Sequence, residues 1–553
     1  MSKLLRLLPL LLIASIALGG GMVENTNQSA EFTRMLARGA STDLDAVFFN
    51  PAGLTKLDNG MHIYLSSQTI TQSRTITGLA SIPVVGLTTM DKTFEGTTFA
   101  PVFPNFYFAY KMDKLVLSGG FVPIGGGGSA EFEDGLPSFV APVSAIPLSL
   151  AAASIPTTAY SVDVEFNGSS TYLGGQFSAS YAINDMISVS AGVRYFSASN
   201  TYKGHLKDIM IDPTYAAVGA DGSMTSATAF FTNMAALLNG GAAQATAAAT
   251  SAQAAADGLS AAIAGGLAGT TPLTAIDADS SMINGLIAFG FDPTGYDLNT
   301  AAAVYSGAAT SATTTAAGYT AQAADMTENA AKTEDIEVDA AQTGTGFAPI
   351  LGLNISLMDK LNIGIRYEGL APLLLTNETE VDGSGLFPNG AETNADMPAM
   401  LGVGLSYLVM PALNVALDYN MYFNEGVDWD GKEANVENGN EIAFGAEYAL
   451  SDALVLSGGY LIATSGAMDA YQTDLSYSLN SSTFGLGAKY NLNPQMALTL
   501  GFSSTSYEEG SKSGVIYAAD VDATTGTVTP TLTGDETYMK TATVFAIGLQ
   551  KSF

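Results

Sequence analysis

Cysteine is absent from the 553 residues, histidine occurs twice and tryptophan once. Without thiols there is no disulfide framework, no Cys-ligated zinc or iron–sulfur centre, and no lipid-modified N-terminal cysteine. Two imidazoles leave little for a His-based metal site, and neither His62 nor His205 has a serine or carboxylate companion pattern for nucleophilic catalysis. The chain therefore reads as a non-enzyme with no metal and no cofactor. Positive charge is scarce too: 20 Lys and Arg stand against 52 Asp and Glu, and the formal net charge of −32 repels polyanions, so nucleic acid is not a partner. Charged residues make up only 13% against 47% hydrophobic, which excludes an acidic disordered chain.

Long apolar runs are missing after the first twenty residues. Lys3 and Arg6 precede the apolar stretch from Leu7 to Leu18, and Ala17-Leu18-Gly19 offers small residues for cleavage, the pattern of a secretory signal peptide over residues 1–20. That stretch is shorter than the roughly 20 residues a spanning helix needs. The remaining way to satisfy every backbone group in a bilayer is a closed β-barrel, whose lipid-facing residues alternate with lumen-facing ones.

Period-two alternation runs through most of the chain. Leu361, Ile363, Ile365 and Tyr367 oppose Asn362, Gly364, Arg366 and Glu368, and Leu413, Val415, Leu417 and Tyr419 oppose Asn414, Ala416, Asp418 and Asn420. Short punctuation recurs at 111–113, 183–185, 358–360, 409–411, 450–452 and 491–494, with long Gly-, Ser-, Asp- and Thr-rich loops between. Strands are predicted over 60–72, 98–110, 114–124, 169–182, 186–203, 346–357, 361–375, 395–408, 412–424, 440–449, 453–464, 480–491, 495–507 and 539–553. An all-β, fourteen-stranded antiparallel transmembrane barrel over 59–553 follows, with tight periplasmic turns and long external loops.

Two segments stand outside that pattern. Residues 204–345 are Ala-rich, with runs such as Ala245 to Ala256 that predict short helices in an external loop. A low-complexity surface loop and a partly apolar cap where ligand first docks are both open. Residues 21–58 precede the first strand; Phe32, Met35 and Leu36 recur at helical spacing and Val47-Phe48-Phe49 leads into Asn50-Pro51-Ala52-Gly53. A barrel this wide exceeds what its own side chains fill, so this segment is predicted to fold into the lumen as a helical hatch.

Together with the signal peptide, the stretch Ser29 to Leu54 ending in Asn50-Pro51-Ala52-Gly53, the Pro104-Asn105-Phe106-Tyr107 segment and Met397 to Tyr407 resemble the FadL family of outer-membrane transporters for long-chain fatty acids and hydrophobic compounds. The resemblance implies facilitated diffusion without energy source or cofactor, and release of ligand sideways through a gap near the third strand. Gly119, Gly120 and Pro123 are the candidates for that kink; alternatively the glycines make room for the hatch and the proline ends the strand. Fatty acid is the first substrate class and aromatic or aliphatic hydrocarbon the second, with a general porin or a structural or adhesive barrel as rivals of another class.

Arg194 and Arg366 fall on the inward face, either to hold a carboxylate head group or as parts of an ion-pair ladder. Phe32, Met35, Leu36, Phe48 and Phe49 are candidates to meet the apolar part of a ligand, or to pack the plug. The terminal aromatic Phe553 resembles the insertion signal of outer-membrane barrels. The expected partners are a hydrophobic small molecule, outer-membrane lipid with lipopolysaccharide, and the barrel-assembly machinery, for a monomer in the bacterial outer membrane. Trp429 and the tyrosines read as an interfacial aromatic girdle.

Overall fold

Alternation of apolar with small or polar residues commits a chain to strands with two unlike faces, and closing the sheet removes its edges. The computed structural model describes residues 22–26, 28–82, 88–277, 280–521 and 528–553, so the expected signal peptide over 1–20 lies outside them. Fourteen antiparallel strands form one closed barrel. In chain order they are Gly60–Ile82, Thr88–Met112, Leu115–Phe132, Tyr160–Ala182, Ile187–Ile211, Ile336–Leu357, Leu361–Glu368 continued by Leu374–Asp382, Glu392–Asn394 continued by Met400–Met410, Leu413–Tyr422, Gly439–Ala449, Leu454–Thr464, Ser481–Asn493, Met496–Tyr507 continued by Gly510–Val521, and Val528–Ser552. The first and last strands pair from His62↔Ser552 to Thr77↔Thr537 and close the ring.

Outward residues form an exposed apolar belt that includes Leu65, Phe177, Leu351, Leu417, Phe444, Leu486 and Ile547. A continuous ring of this kind belongs in hydrocarbon rather than water. The barrel is much taller on one side. The first, second and fourth to sixth strands and the last have 22 to 25 residues, the ninth to twelfth only 10 to 13. On the tall side the predicted strands stop too early, at 72 for the first. Beyond that point the outward residues Ser73, Thr75 and Thr77 are polar, so the hydrophobic alternation ends while the ladder continues.

Inside the short-turn end sits the hatch, built from two short helices, α1 (Ala30–Arg34) and α2 (Ala46–Phe49), and a 3-10 turn, Pro51–Lys56. At the opposite end a helix, α3 (Pro137–Ala152), follows the third strand.

The Ala-rich insertion is more regular than expected. The fifth strand runs on to Ile211 and the sixth begins at Ile336, so the insertion proper is 212–335. Instead of short helices it holds α4 (Ala227–Ala264, 38 residues), the small α5 (Ser281–Ala288) and α6 (Leu298–Lys332, 35 residues). The Thr228 hydroxyl donates to the Thr333 carbonyl, joining the start of α4 to the end of α6, so the long helices are antiparallel. Ala235, Ala242, Ala249 and Ala256 are buried seven residues apart, and so are Ala309, Ala316, Ala323 and Ala330. A heptad of methyl groups is a coiled-coil seam of the smallest side chain, which lets the two helices approach closely. Among the described residues no helix is both long and apolar enough to cross a membrane.

Trp429 does not lie in a girdle. It is buried in the loop between the ninth and tenth strands with Met22, Val427 and Val436, and its indole N–H donates to the Asp396 carbonyl at 2.9 Å.

Candidate functional site

The hatch is shaped by its own short-range bonds. Ser29 caps α1 by accepting from the Phe32 amide at 3.2 Å. Arg38 closes the following loop with a bidentate pair to Asp45, at 2.6 and 2.9 Å, and Ser41 donates to the same carboxylate. The motif Asn50-Pro51-Ala52-Gly53 is then more than a turn. The Asn50 side chain accepts from the Ala52 amide and donates to the Leu353 carbonyl on the sixth strand. Ser180 and Ser188 of the fourth and fifth strands donate to the Pro51 and Ala52 carbonyls. A Cβ on Gly53 would lie 2.2 Å from the Ser41 carbonyl oxygen.

Wall and hatch meet at backbone distance. Added Cβ atoms would lie 2.1 Å from the Gly39 carbonyl oxygen at Gly364, 2.4 Å from the Ala40 nitrogen at Gly404 and 2.5 Å from the Thr33 carbonyl oxygen at Gly485. Buried charges lock the same contact. Arg34 bonds Glu31 at 2.5 Å and wall residue Glu447 at 2.6 Å, while Lys489 lies 3.5 Å from both Glu31 and Asp43. Burial alone would raise the Glu31 carboxyl; Arg34 and Lys489 overcome it and hold the group at about 2.

Between hatch and wall lies a cavity lined by Phe32, Leu36, Phe48 and Phe49 of the hatch, Thr26, and Arg366, Met400, Asp418 and Asn420 of the wall. Phe32 stacks on Phe49 at 5.6 Å and Phe48 meets Phe49 edge-on at 5.1 Å. Met35 is not part of this lining; it packs under Gly445 of the tenth strand. Arg194 and Arg366 stand over the Phe48 ring at 4.7 and 5.0 Å, and both bind one carboxylate, Glu368. Arg194 also donates to Gln176 at 2.7 Å. The two arginines thus share a resident partner, as in the ion-pair ladder that is one of the two readings of the sequence.

The wall is broken beside the hatch. The second and third strands pair from Met112↔Leu115 to Phe106↔Phe121, then not again until Thr97↔Glu131. Pro101 and Pro104 of the second strand and Pro123 of the third all lack an N–H along this stretch. The third strand keeps its pairing with the fourth through bulges at Pro123/Gly125 and Gly126/Gly128, where Gly126 and Gly128 take φ of 79° and 77° that a side chain would resist. Its freed carbonyls turn inward to the N-terminal segment: the Asn25 amide donates to Ile124 at 2.8 Å and the Gln28 side chain to Pro123 at 2.7 Å. From the second strand, Asn105 and Tyr107 donate to the side chain and the carbonyl of Gln28.

Gly119 and Gly120 are not at the kink. Both sit in an unbroken ladder, where a Cβ would meet Phe108 at 2.6 Å and Tyr107 at 2.8 Å, so they make room for aromatic neighbours on the second strand. Nor does Pro123 end the strand, which continues to Phe132. The discontinuity runs from Pro123 through the four glycines 125–128, a run that is visible in the sequence beside Pro123.

No family model matches the chain, and no curated protein does. Solved structures do. A FadL homologue of Pseudomonas aeruginosa superposes with a TM-score of 0.55 at 12% identity, covering 97% of this chain and all of that one. The chain has the fold of a FadL-type barrel. The toluene transporters TodX of Pseudomonas putida (0.47, 12% identity, 93% and 95% covered) and TbuX of Ralstonia pickettii (0.45, 14%, 92% and 94%) align less well and add no weight to that assignment. At the seam of this FadL-type barrel the Phe553 amide donates to the Met61 carbonyl at 2.8 Å, while the terminal ring is exposed under Lys551.

Proposed function

We propose that this protein sits in the outer membrane and passes hydrophobic molecules, first of all long-chain fatty acids, by facilitated diffusion, with release sideways between the second and third strands. The break in their ladder from Thr97 to Phe106, lying against a hatch-filled lumen, carries this reading. An apolar solute gains nothing from a water-filled pore, whereas aromatic and aliphatic side chains within the barrel and a break in the wall toward hydrocarbon give it apolar contact on the way. Phe32, Leu36, Phe48 and Phe49 line the chamber with Arg366; Arg194 and Met35 support it from behind. The exit is assigned to Pro123–Gly128, beyond Gly119 and Gly120. The Phe32–Phe49–Phe48 cluster favours aromatic hydrocarbon as the second substrate class. Neighbouring lipid and lipopolysaccharide would surround the belt, and Phe553 would serve the assembly machinery as its recognition signal.

Uptake of labelled oleate and labelled toluene by cells producing the protein, beside ion conductance in a planar bilayer, tests this. Saturable uptake with a non-conducting barrel is expected. Steady conductance by the intact protein with uptake of neither solute would overturn it in favour of a porin on the same fold.

A further inference from the structure

A second pair of cations lies in the lumen, away from the hatch. Arg74 of the first strand and Lys540 of the last are direct register partners, both facing inward and both buried. Like charges directly opposite each other on one sheet face repel, and burial removes the water that would screen them. Arg74 has no ion pair among the described residues, although the chain holds 52 carboxylates.

Around the pair, hydrogen-bonding capacity is left over. Among the described residues the Arg74 Nε, both amide atoms of Gln72 and the Thr98 hydroxyl are buried without a hydrogen-bond partner, and Gln72 and Thr98 are themselves register partners on neighbouring strands. Exposure of Gln72, Arg74 and Thr98 is 1, 5 and 2%. Native interiors rarely leave such a cluster unsatisfied, and where they do a missing ligand is a physical explanation. Two tyrosine faces complete the enclosure: Tyr477 lies 5.7 Å from the Arg74 guanidinium and Tyr507 lies 4.7 Å from the Lys540 ammonium. On the side toward the hatch, Ile70, Ala542 and Val544 form a buried apolar patch with Phe103 against it.

On the transport reading above, we propose that Arg74 and Lys540 form an inward-facing site for the carboxylate of an acyl-chain ligand, with Gln72 and Thr98 as neutral donors and the Ile70–Val544 patch against the first methylenes. A carboxylate has oxygen lone pairs for about four donors, and this site supplies two charged and two neutral ones. The Arg194–Arg366 pair already holds Glu368, so an incoming carboxylate there meets a resident anion. Facing the lumen, the Arg74 site is reached by a solute inside the barrel and not by the head groups of surrounding lipid. It would take a fatty acid from the long-loop side before the hatch chamber does.

The test uses the purified full-length protein in non-ionic detergent, titrated with carboxyl-labelled oleate and separately with oleyl alcohol, which has the same chain and no charge. Heat-modifiable gel migration checks that each variant is a closed barrel. In the double variant Arg74→Met, Lys540→Met the oleate Kd is expected to rise about tenfold or more while the alcohol Kd stays within about twofold. Arg74→Lys with Lys540→Arg, which keeps both charges, should retain oleate binding. Unchanged oleate affinity in the folded double Met variant, or equal loss of acid and alcohol, overturns the site while leaving transport intact. If the unaltered protein binds neither ligand, the transport reading itself fails.

Discussion

Two buried charge clusters of the lumen are built in opposite ways. At the hatch, Arg34, Arg38 and Lys489 are enclosed by Glu31, Asp43, Asp45 and Glu447, with backbone atoms of hatch and wall in contact through glycine. Toward the long loops, Arg74 faces Lys540, and the Gln72 amide and Thr98 hydroxyl have no hydrogen-bond partner among the described residues. A charged cluster whose bonds are complete is a fastener. One left incomplete has capacity for a visitor.

Breaking the fastener should have the largest effect. Arg34→Met leaves Glu31 buried without its main partner, and a cost of about 3–5 kcal/mol is expected, read as loss of hydrogen-exchange protection over residues 29–57. Gly364→Ala places a methyl group against the Gly39 carbonyl, which must move. The expected cost is about 1–3 kcal/mol, with ion conductance rising above that of the unaltered protein.

Acid sharpens the contrast more gently. The Glu31 carboxyl, held at about 2, lies below its unfolded value of roughly 4.3, so its contribution is complete above that value and is lost as pH falls toward 2. Conductance should stay flat from about pH 8 to 5 and rise only below about 4. Smallest of all, Lys203→Ala removes the exposed pair with Asp339 on the outer part of the tall strands and should leave the melting temperature unchanged.

The strand number was legible because each strand crosses the apolar belt, where a period of two has contrast. Above the belt the outward residues turn polar and the inward ones are mixed, with Gln72 and Arg74 beside Ile76, so the extensions to Ile82 and Ile211 left no such signal. The Ala heptads of α4 and α6 were there to be read, since seven-residue spacing needs no partner sequence, but propensity alone suggested short helices. The five apolar hatch candidates were recognisable because they precede the first strand, and the structure brings Phe32, Leu36, Phe48 and Phe49 into one chamber while Met35 packs on the wall. Glu368 as the partner of Arg194 was hidden by 174 residues of separation. The opposition of Arg74 and Lys540 exists only once the last strand meets the first.

That meeting also decides how the molecule is put together. Residues 28–58 lie inside a ring whose two ends are the strand that immediately follows them and the fourteenth strand, paired from His62↔Ser552 upward with the Phe553 amide on the Met61 carbonyl. The lining is thus synthesised first and the wall around it completed last. A truncation of the final strand is consequently more than the loss of one staple in fourteen: it leaves a folded lining in an open sheet, and turns a container into a surface.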